Sequence, residues 1–150
     1  MKITLLCVGK IKEQFFRNLI GQHEKHLRKK CDFSICQIDD LPIGKKAGEA
    51  QLEKIRVDEG QRILHKIPKE AYVIALCIDG KELTPAAHRK LLQTVCQEGR
   101  REIIYVIGGS LVLSEEVVNR ADYKLSFSKM TFPHQLMRVM LLEVIDRDYL

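Results

Sequence analysis

Tyr72 to Ile78 is an unbroken apolar run, and it constrains the fold more than any other feature of the chain. It has no polar position on alternate residues, so neither side of a strand made from it can face water. The reading is a strand buried on both faces of a parallel sheet covered by helices. The rest of the chain alternates to match. Lys2 to Val8 is a short apolar run closed by Gly9, read as a first strand. Between Glu13 and Lys30, Phe16, Leu19, Ile20, His23 and Leu27 recur at helical spacing in a charged background. Asp32 to Asp39 reads as a weaker strand, and Leu41 to Gly48 as a loop. Glu49 to Ile67 carries Leu52, Ile55, Ile63 and Ile67 as a helical stripe stopped by Pro68.

The second half repeats the pattern. Asp79-Gly80 predicts a turn, and Thr84-Pro85 an N-cap followed by proline at the first helical position. That helix runs to Gly99. Glu102 to Ile107 is the fourth strand, ended by Gly108-Gly109; Ser114 caps a short helix, and Lys124 to Phe127 is the fifth strand. Pro133 opens a last helix through Asp146 that is apolar nearly all round, at Leu136, Met137, Val139, Met140, Leu141, Leu142, Val144 and Ile145. Five strands and five helices in alternation give an α/β protein with a largely parallel sheet. The last helix has more apolar surface than one sheet face covers, which predicts a subunit interface.

At 150 residues the chain fits one domain, large enough to bury roughly 70% of its unfolded surface. A 45% hydrophobic fraction excludes disorder, and no run approaches the roughly 18 apolar residues of a membrane span. The start, MKITLLCVGKIK, has too short an apolar stretch for a signal peptide, with Lys10 and Lys12 where a cleavage site would fall. Cys7, Cys31, Cys36, Cys77 and Cys96 form no C-x-x-C pair and no zinc spacing, so no metal is expected and a reducing cytoplasm is the simplest location. A net charge of +5 favours an anionic partner without demanding one.

Ligands of open α/β sheets sit beyond the carboxyl ends of the strands. Three such ends depart from ordinary turns: Leu76 to Lys81, Ile107 to Ser110, and Ser126 to His134. Gly108-Gly109 reads either as a plain strand-to-helix turn or as a place where backbone approaches a ligand. Ser126 to His134 mixes hydroxyls with Phe127, Met130 and Phe132, which suits a flat heterocycle with polar edges. No G-x-G-x-x-G follows a strand, and there is no P-loop or G-x-S-x-G elbow. His23 and His26, one turn apart, read as solvated rather than as metal ligands. The basic run Lys25, His26, Arg28, Lys29 and Lys30 reads as a solvated helix end.

VIGGS at Val106 to Ser110 and LSFSKMTFPHQLMRVMLLE at Leu125 to Glu143 closely resemble the family of ribosomal RNA large subunit methyltransferase H, minimal knotted SPOUT methyltransferases. MKITLLCVGKIKE and EGQRIL (Glu59 to Leu64) also match, so the resemblance covers nearly the whole chain. It implies a parallel sheet in a three-layer sandwich, with the C-terminal part threaded into a deep trefoil knot. Pattern alone suggests an unknotted doubly wound sheet. It also implies a cytoplasmic homodimer that binds S-adenosylmethionine and methylates N3 of a pseudouridine in large-subunit rRNA of the assembled ribosome. The motif assigns cofactor contacts to Leu76, Gly108, Phe127, Ser128, Lys129, Met130, Thr131 and Phe132. Arg147 matches the arginine of the family's closing helix and is the candidate catalytic cation, with His134 beside the cofactor loop.

Some positions depart from the family. Its last helix continues into a tail with Arg-Gly and then Tyr-His-Lys, whereas this sequence ends at Asp146-Arg147-Asp148-Tyr149-Leu150. That leaves a second expectation: a ribosome- or RNA-binding protein that keeps the fold with weak or no turnover. Asp146 and Asp148 stand where a tyrosine and a small residue are usual around Arg147, and Val112 replaces a glycine after the GGS turn. A branched residue disfavours φ > 0, so a reshaped loop is expected there.

Overall fold

A computed structural model describes residues 1–149. The strands are β1 (Lys2–Val8), β2 (Asp32–Ile38), β3 (Tyr72–Glu82), β4 (Glu102–Ile107) and β5 (Tyr123–Ser126). The helices are α1 (Gln14–Leu27), α2 (Glu49–His65), α3 (Pro85–Gln97), α4 (Glu115–Arg120) and α5 (His134–Asp148). All strands pair in parallel, in the order β2-β1-β4-β3-β5.

Alternation along the strands sorts the core into two layers. Ile3, Leu5 and Cys7 of β1 and Ile103, Tyr105 and Ile107 of β4 face one side. There they meet Leu27 of α1, Leu92 and Val95 of α3, and Leu141, Leu142 and Ile145 of α5. Leu6, Val8, Ile104 and Val106 face the other side, against Ile63 of α2 and Val117 of α4. Both faces of the central strands are therefore covered, as their apolar runs require. Thr84 and Ser114 cap α3 and α4 as expected, each oxygen accepting from the backbone N–H three residues on.

Two boundaries depart from the sequence reading. β3 does not end at Ile78. Leu76 and Lys81 both sit opposite Leu125 of β5, so Cys77 to Gly80 bulge out of the strand before pairing resumes. Ile78 is consequently exposed, and the uniformly buried strand is interrupted at its carboxyl end. The sequence pattern cannot register this, because apolar residues look alike on a core and on a bulge. Gly80 permits the close return to β5: a Cβ there would lie 2.7 Å from the carbonyl oxygen of Lys124. α5 also continues two residues past Asp146, and Asp148 is buried in it.

The histidines of α1 are not simply solvated. Asp146 of α5 lies 3.2 Å from His23 Nδ1 and 2.6 Å from His26 Nδ1, and His23 Nε2 lies 3.1 Å from Glu143. Lys30 of the basic run donates to the Asp146 carbonyl at 2.6 Å. These contacts were invisible because the partners are more than a hundred residues away. At its other end α5 is tied to β1 by Arg138, 1% exposed, whose Nη2 donates to the carbonyls of Val8 and Gly9.

Candidate functional site

The sheet order places the carboxyl ends of β4, β3 and β5 side by side. The three unusual strand ends therefore converge. Between them lies a cleft of about 670 Å³, within the range of small-molecule sites. The β3 bulge contributes Leu76 to Asp79, the bend after β4 contributes Ile107 to Leu113, and the end of β5 with the following loop contributes Lys124 to Ser128 and Met130 to Pro133. Val118 of α4 and His134 and Met137 of α5 complete the lining.

The walls are pre-shaped by short-range chemistry. Ser126 is buried, and its Oγ lies 3.0 Å from the carbonyl oxygen of Ile78 and 3.1 Å from that of Ser128. One hydroxyl proton thus joins the β3 bulge to the β5 loop. Ser128 Oγ accepts from the Met130 N–H at 3.0 Å and closes a tight turn. Gly108 is required by the turn itself: a Cβ there would come within 2.9 Å of the Leu111 carbonyl oxygen. The bend folds back on itself so closely that only glycine fits, which leaves backbone rather than side chain facing the cleft. Val112 needs no positive φ, a conformation found only at glycines among the described residues, and it stands 66% exposed on that bend. The backbone at Val112 is ordinary, and its apolar side chain stands at the cleft. With Ile78, Met130 and Phe132 it makes a ring of exposed apolar groups on three segments.

Leu76, Gly108, Phe127, Ser128, Met130, Thr131, Phe132 and His134 all line the cleft. Lys129 does not; it is exposed on the same loop. Arg147 lies elsewhere, about 20 Å from His134 along α5 at roughly 1.5 Å per residue. Its guanidinium is paired with Asp148, Nε donating to Oδ1 at 2.7 Å and Nη2 to Oδ2 at 2.9 Å. Sequence reasoning missed Leu111, Leu113, Val118, Lys124, Leu125 and Met137. Met137 was within reach, because it follows His134 by three residues on a helix and so shares its face.

The chemistry of the lining suits an adenosine-sized, largely uncharged surface. Apolar groups predominate, with backbone at Gly108 and hydroxyls at Ser110, Ser126, Ser128 and Thr131; Asp79 and Lys124 are the only fully charged side chains, both exposed. A flat heterocycle needs room for close backbone approach, and the Gly108 bend provides it. Among the described residues, no three His, Cys, Asp or Glu side chains gather as metal ligands, and no helix is long and apolar enough to cross a membrane.

Comparison with known proteins agrees with this geometry. The family described as "Predicted SPOUT methyltransferase" matches residues 1–149. The chain is 45% identical to the ribosomal RNA large subunit methyltransferase H of Clostridioides difficile over 149 residues, 99% of this chain and 94% of the relative. With the same shares of both chains covered, it is 46% identical to the protein of that name from Clostridium novyi and 45% identical to that from Bifidobacterium adolescentis.

Proposed function

The chain belongs to the SPOUT methyltransferase family as a relative of ribosomal RNA large subunit methyltransferase H, and on that premise we propose that it methylates N3 of a pseudouridine in large-subunit ribosomal RNA, in the assembled ribosome, using S-adenosylmethionine. The observation that carries the proposal is the convergence of three distant segments on one cleft: the β3 bulge, the GGS bend and the SFSKMTFPH loop. The reading includes a homodimer, supported by Phe15 and Leu19 exposed on α1 and by Met140 and Val144 only half-buried on α5. It also includes the family's C-terminal trefoil knot, in keeping with the path from β5 at the sheet edge back to α5 against α1.

S-adenosylmethionine supplies, when bound, a methyl group made electrophilic by its sulfonium. Leu76, Gly108, Phe127, Ser128, Met130, Thr131 and Phe132 would hold it, with Lys129 at the outer side of the same loop. The task of these residues is orientation, because an in-line transfer depends on alignment at near-attack distance. Ile78, Val112, Met130 and Phe132 ring the cleft and exclude water once substrate covers them. The N3 proton of a pseudouridine is weakly acidic, so its removal needs an acceptor and a nearby positive charge. His134 is the histidine at the cleft, and one of its ring nitrogens takes that proton. Arg147 is the cation. It lies too far from its own cleft to act there, so it serves the cleft of the partner subunit.

Calorimetry with S-adenosylmethionine, followed by mass analysis of ribosomal RNA from ribosomes incubated with protein and cofactor, tests the proposal. One cofactor per chain and a new N3-methyl-pseudouridine are expected. No heat at millimolar ligand with folded protein sinks the cofactor assignment. Salt-sensitive ribosome binding without product instead marks a ribosome-binding protein without turnover.

A further inference from the structure

The far end of α5 holds a deeply buried carboxylate. The Asp148 side chain is fully buried, and its carboxylate gathers donors from two helices. Arg147 donates twice, from Nε and Nη2. His88 of α3 bonds Oδ2 through Nδ1 at 2.8 Å, and Arg89 Nη1 stands 3.6 Å from Oδ1. Behind His88, its Nε2 meets the hydroxyl of Tyr105 on β4 at 2.8 Å. Burial lowers the pKa of His88, against the bond and charge of Asp148. The imidazole is therefore neutral, with Nδ1–H donating to Asp148 and Nε2 accepting from Tyr105. Every polar atom of the chain Tyr105–His88–Asp148 is then paired, and a satisfied buried network holds one geometry. Arg147 itself is nearly half exposed. With Nε and Nη2 engaged at the back, Nη1 is the nitrogen left to point outward.

We infer that Asp148, locked by His88 and Tyr105, is the positioning residue that orients Arg147 for the methyl-transfer step. This inference rests on the reading of Arg147 as the cation of that step. A free arginine side chain samples many rotamers, and fixing it beforehand removes that entropy from the barrier. The two-point bond to Asp148 sets the plane of the guanidinium, which a single bond would not. Because Asp148 follows Arg147 in the chain and is anchored to α3 and β4, the orientation is referred to the sheet rather than to the helix end.

The test uses the full-length protein and ribosomes, with turnover normalised to the fraction of chains that bind S-adenosylmethionine. Asp148→Asn keeps the shape and weakens the two-point bond; Arg147→Ala removes the cation. Arg120→Ala, which deletes bonds from α4, on the opposite face of the sheet, to the carbonyls of Pro68, Lys69 and Ala71 just before β3, controls for destabilisation alone. The expected result is a fall in kcat of about tenfold or more for both Asp148→Asn and Arg147→Ala. The cofactor Kd and the KM for ribosomes should stay within about twofold of the parent, and Arg120→Ala should keep its turnover. Full turnover in Asp148→Asn beside an inactive Arg147→Ala overturns the positioning role and leaves the reading of the reaction intact. A parent protein without turnover, or an Arg147→Ala variant with full turnover, overturns the reading itself and the inference with it. Should Asp148→Asn not fold, the Nε–H resonance of Arg147 in the parent protein decides. A protected, rotationally restricted signal supports the inference, and one averaged like a free side chain overturns it.

Discussion

The two ends of α5 are built from opposite materials. At its start, around His134 and Met137, the cleft is made of backbone, apolar side chains and hydroxyls. At its finish, Asp146 and Asp148 draw His23, His26, Lys30, His88, Arg89 and Arg147 into two charged clusters. The first end can accept a bulky ligand because close packing was left undone there. At the second, the buried Asp148 carboxylate and His88 ring are fully paired, so they resist change. One helix thus couples an adaptable site to a rigid anchor, and this difference organises the expected effects of substitution.

The largest effect belongs to the anchor. Asp148→Ala removes the acceptor that His88, Arg89 and Arg147 share and leaves the buried His88 Nδ1–H without a partner, which costs about 1–3 kcal/mol. Urea unfolding should show the loss, and a change under about 1 kcal/mol would show that the network contributes little. The cleft should respond differently. Gly108→Ala forces a Cβ against Leu111, so overpacking of about 1–3 kcal/mol is expected. Calorimetry should also find the cofactor bound at least about tenfold more weakly, since 1.4 kcal/mol is a tenfold change. Equal loss of stability and no loss of cofactor affinity would erase the contrast between the two ends.

Acid should act at the anchor first. His88 binds its proton less readily in the folded protein than in the unfolded chain, where its pKa is near 6.5. The unfolded state takes up more protons as pH falls below that value, so stability declines on acidification. Burial raises the pKa values of Asp146 and Asp148, but hydrogen bonds outweigh it, from His26, His23 and Lys30 to Asp146 and from Arg147 and His88 to Asp148. Both are held below the usual carboxylate range. The stability they supply is present above that range and is lost as pH falls through their lowered values. Unfolding free energy measured from pH 8 to pH 3 should show two successive declines, and His88→Gln should flatten the upper one. The smallest effect is Ser114→Ala, which removes the cap of α4 behind the GGS bend for about 1 kcal/mol. A shift in thermal midpoint with cofactor affinity unchanged would show that the bend holds its shape without α4.

Most of the architecture was readable before any coordinates. Every strand and helix overlaps the segment that periodicity assigns it, with β3 and α5 running past theirs, because burial on one or two faces leaves a repeat of two or 3.6 residues in the chain. The segments of the cleft were readable as strand ends with unusual glycine and aromatic content. What was not readable has one common cause. The Cys77–Gly80 bulge depends on the path of β5, and the pairing of Asp146 and Asp148 depends on α1 and α3, all distant in sequence. Polar residues on a helix carry no mark of whether they meet water or a partner. His23 read as solvated and Asp148 as an odd neighbour of Arg147 for that reason.

By itself the amino-acid order determined the elements, their parallel layering and the family, since each follows from local pattern or from contiguous motifs. Tertiary structure decided the size and lining of the cleft that the three bends share, how α5 docks against α1 and α3, and that a buried carboxylate holds Arg147. Those facts depend on strand order and helix docking, in which residues far apart in the chain exclude water from one another.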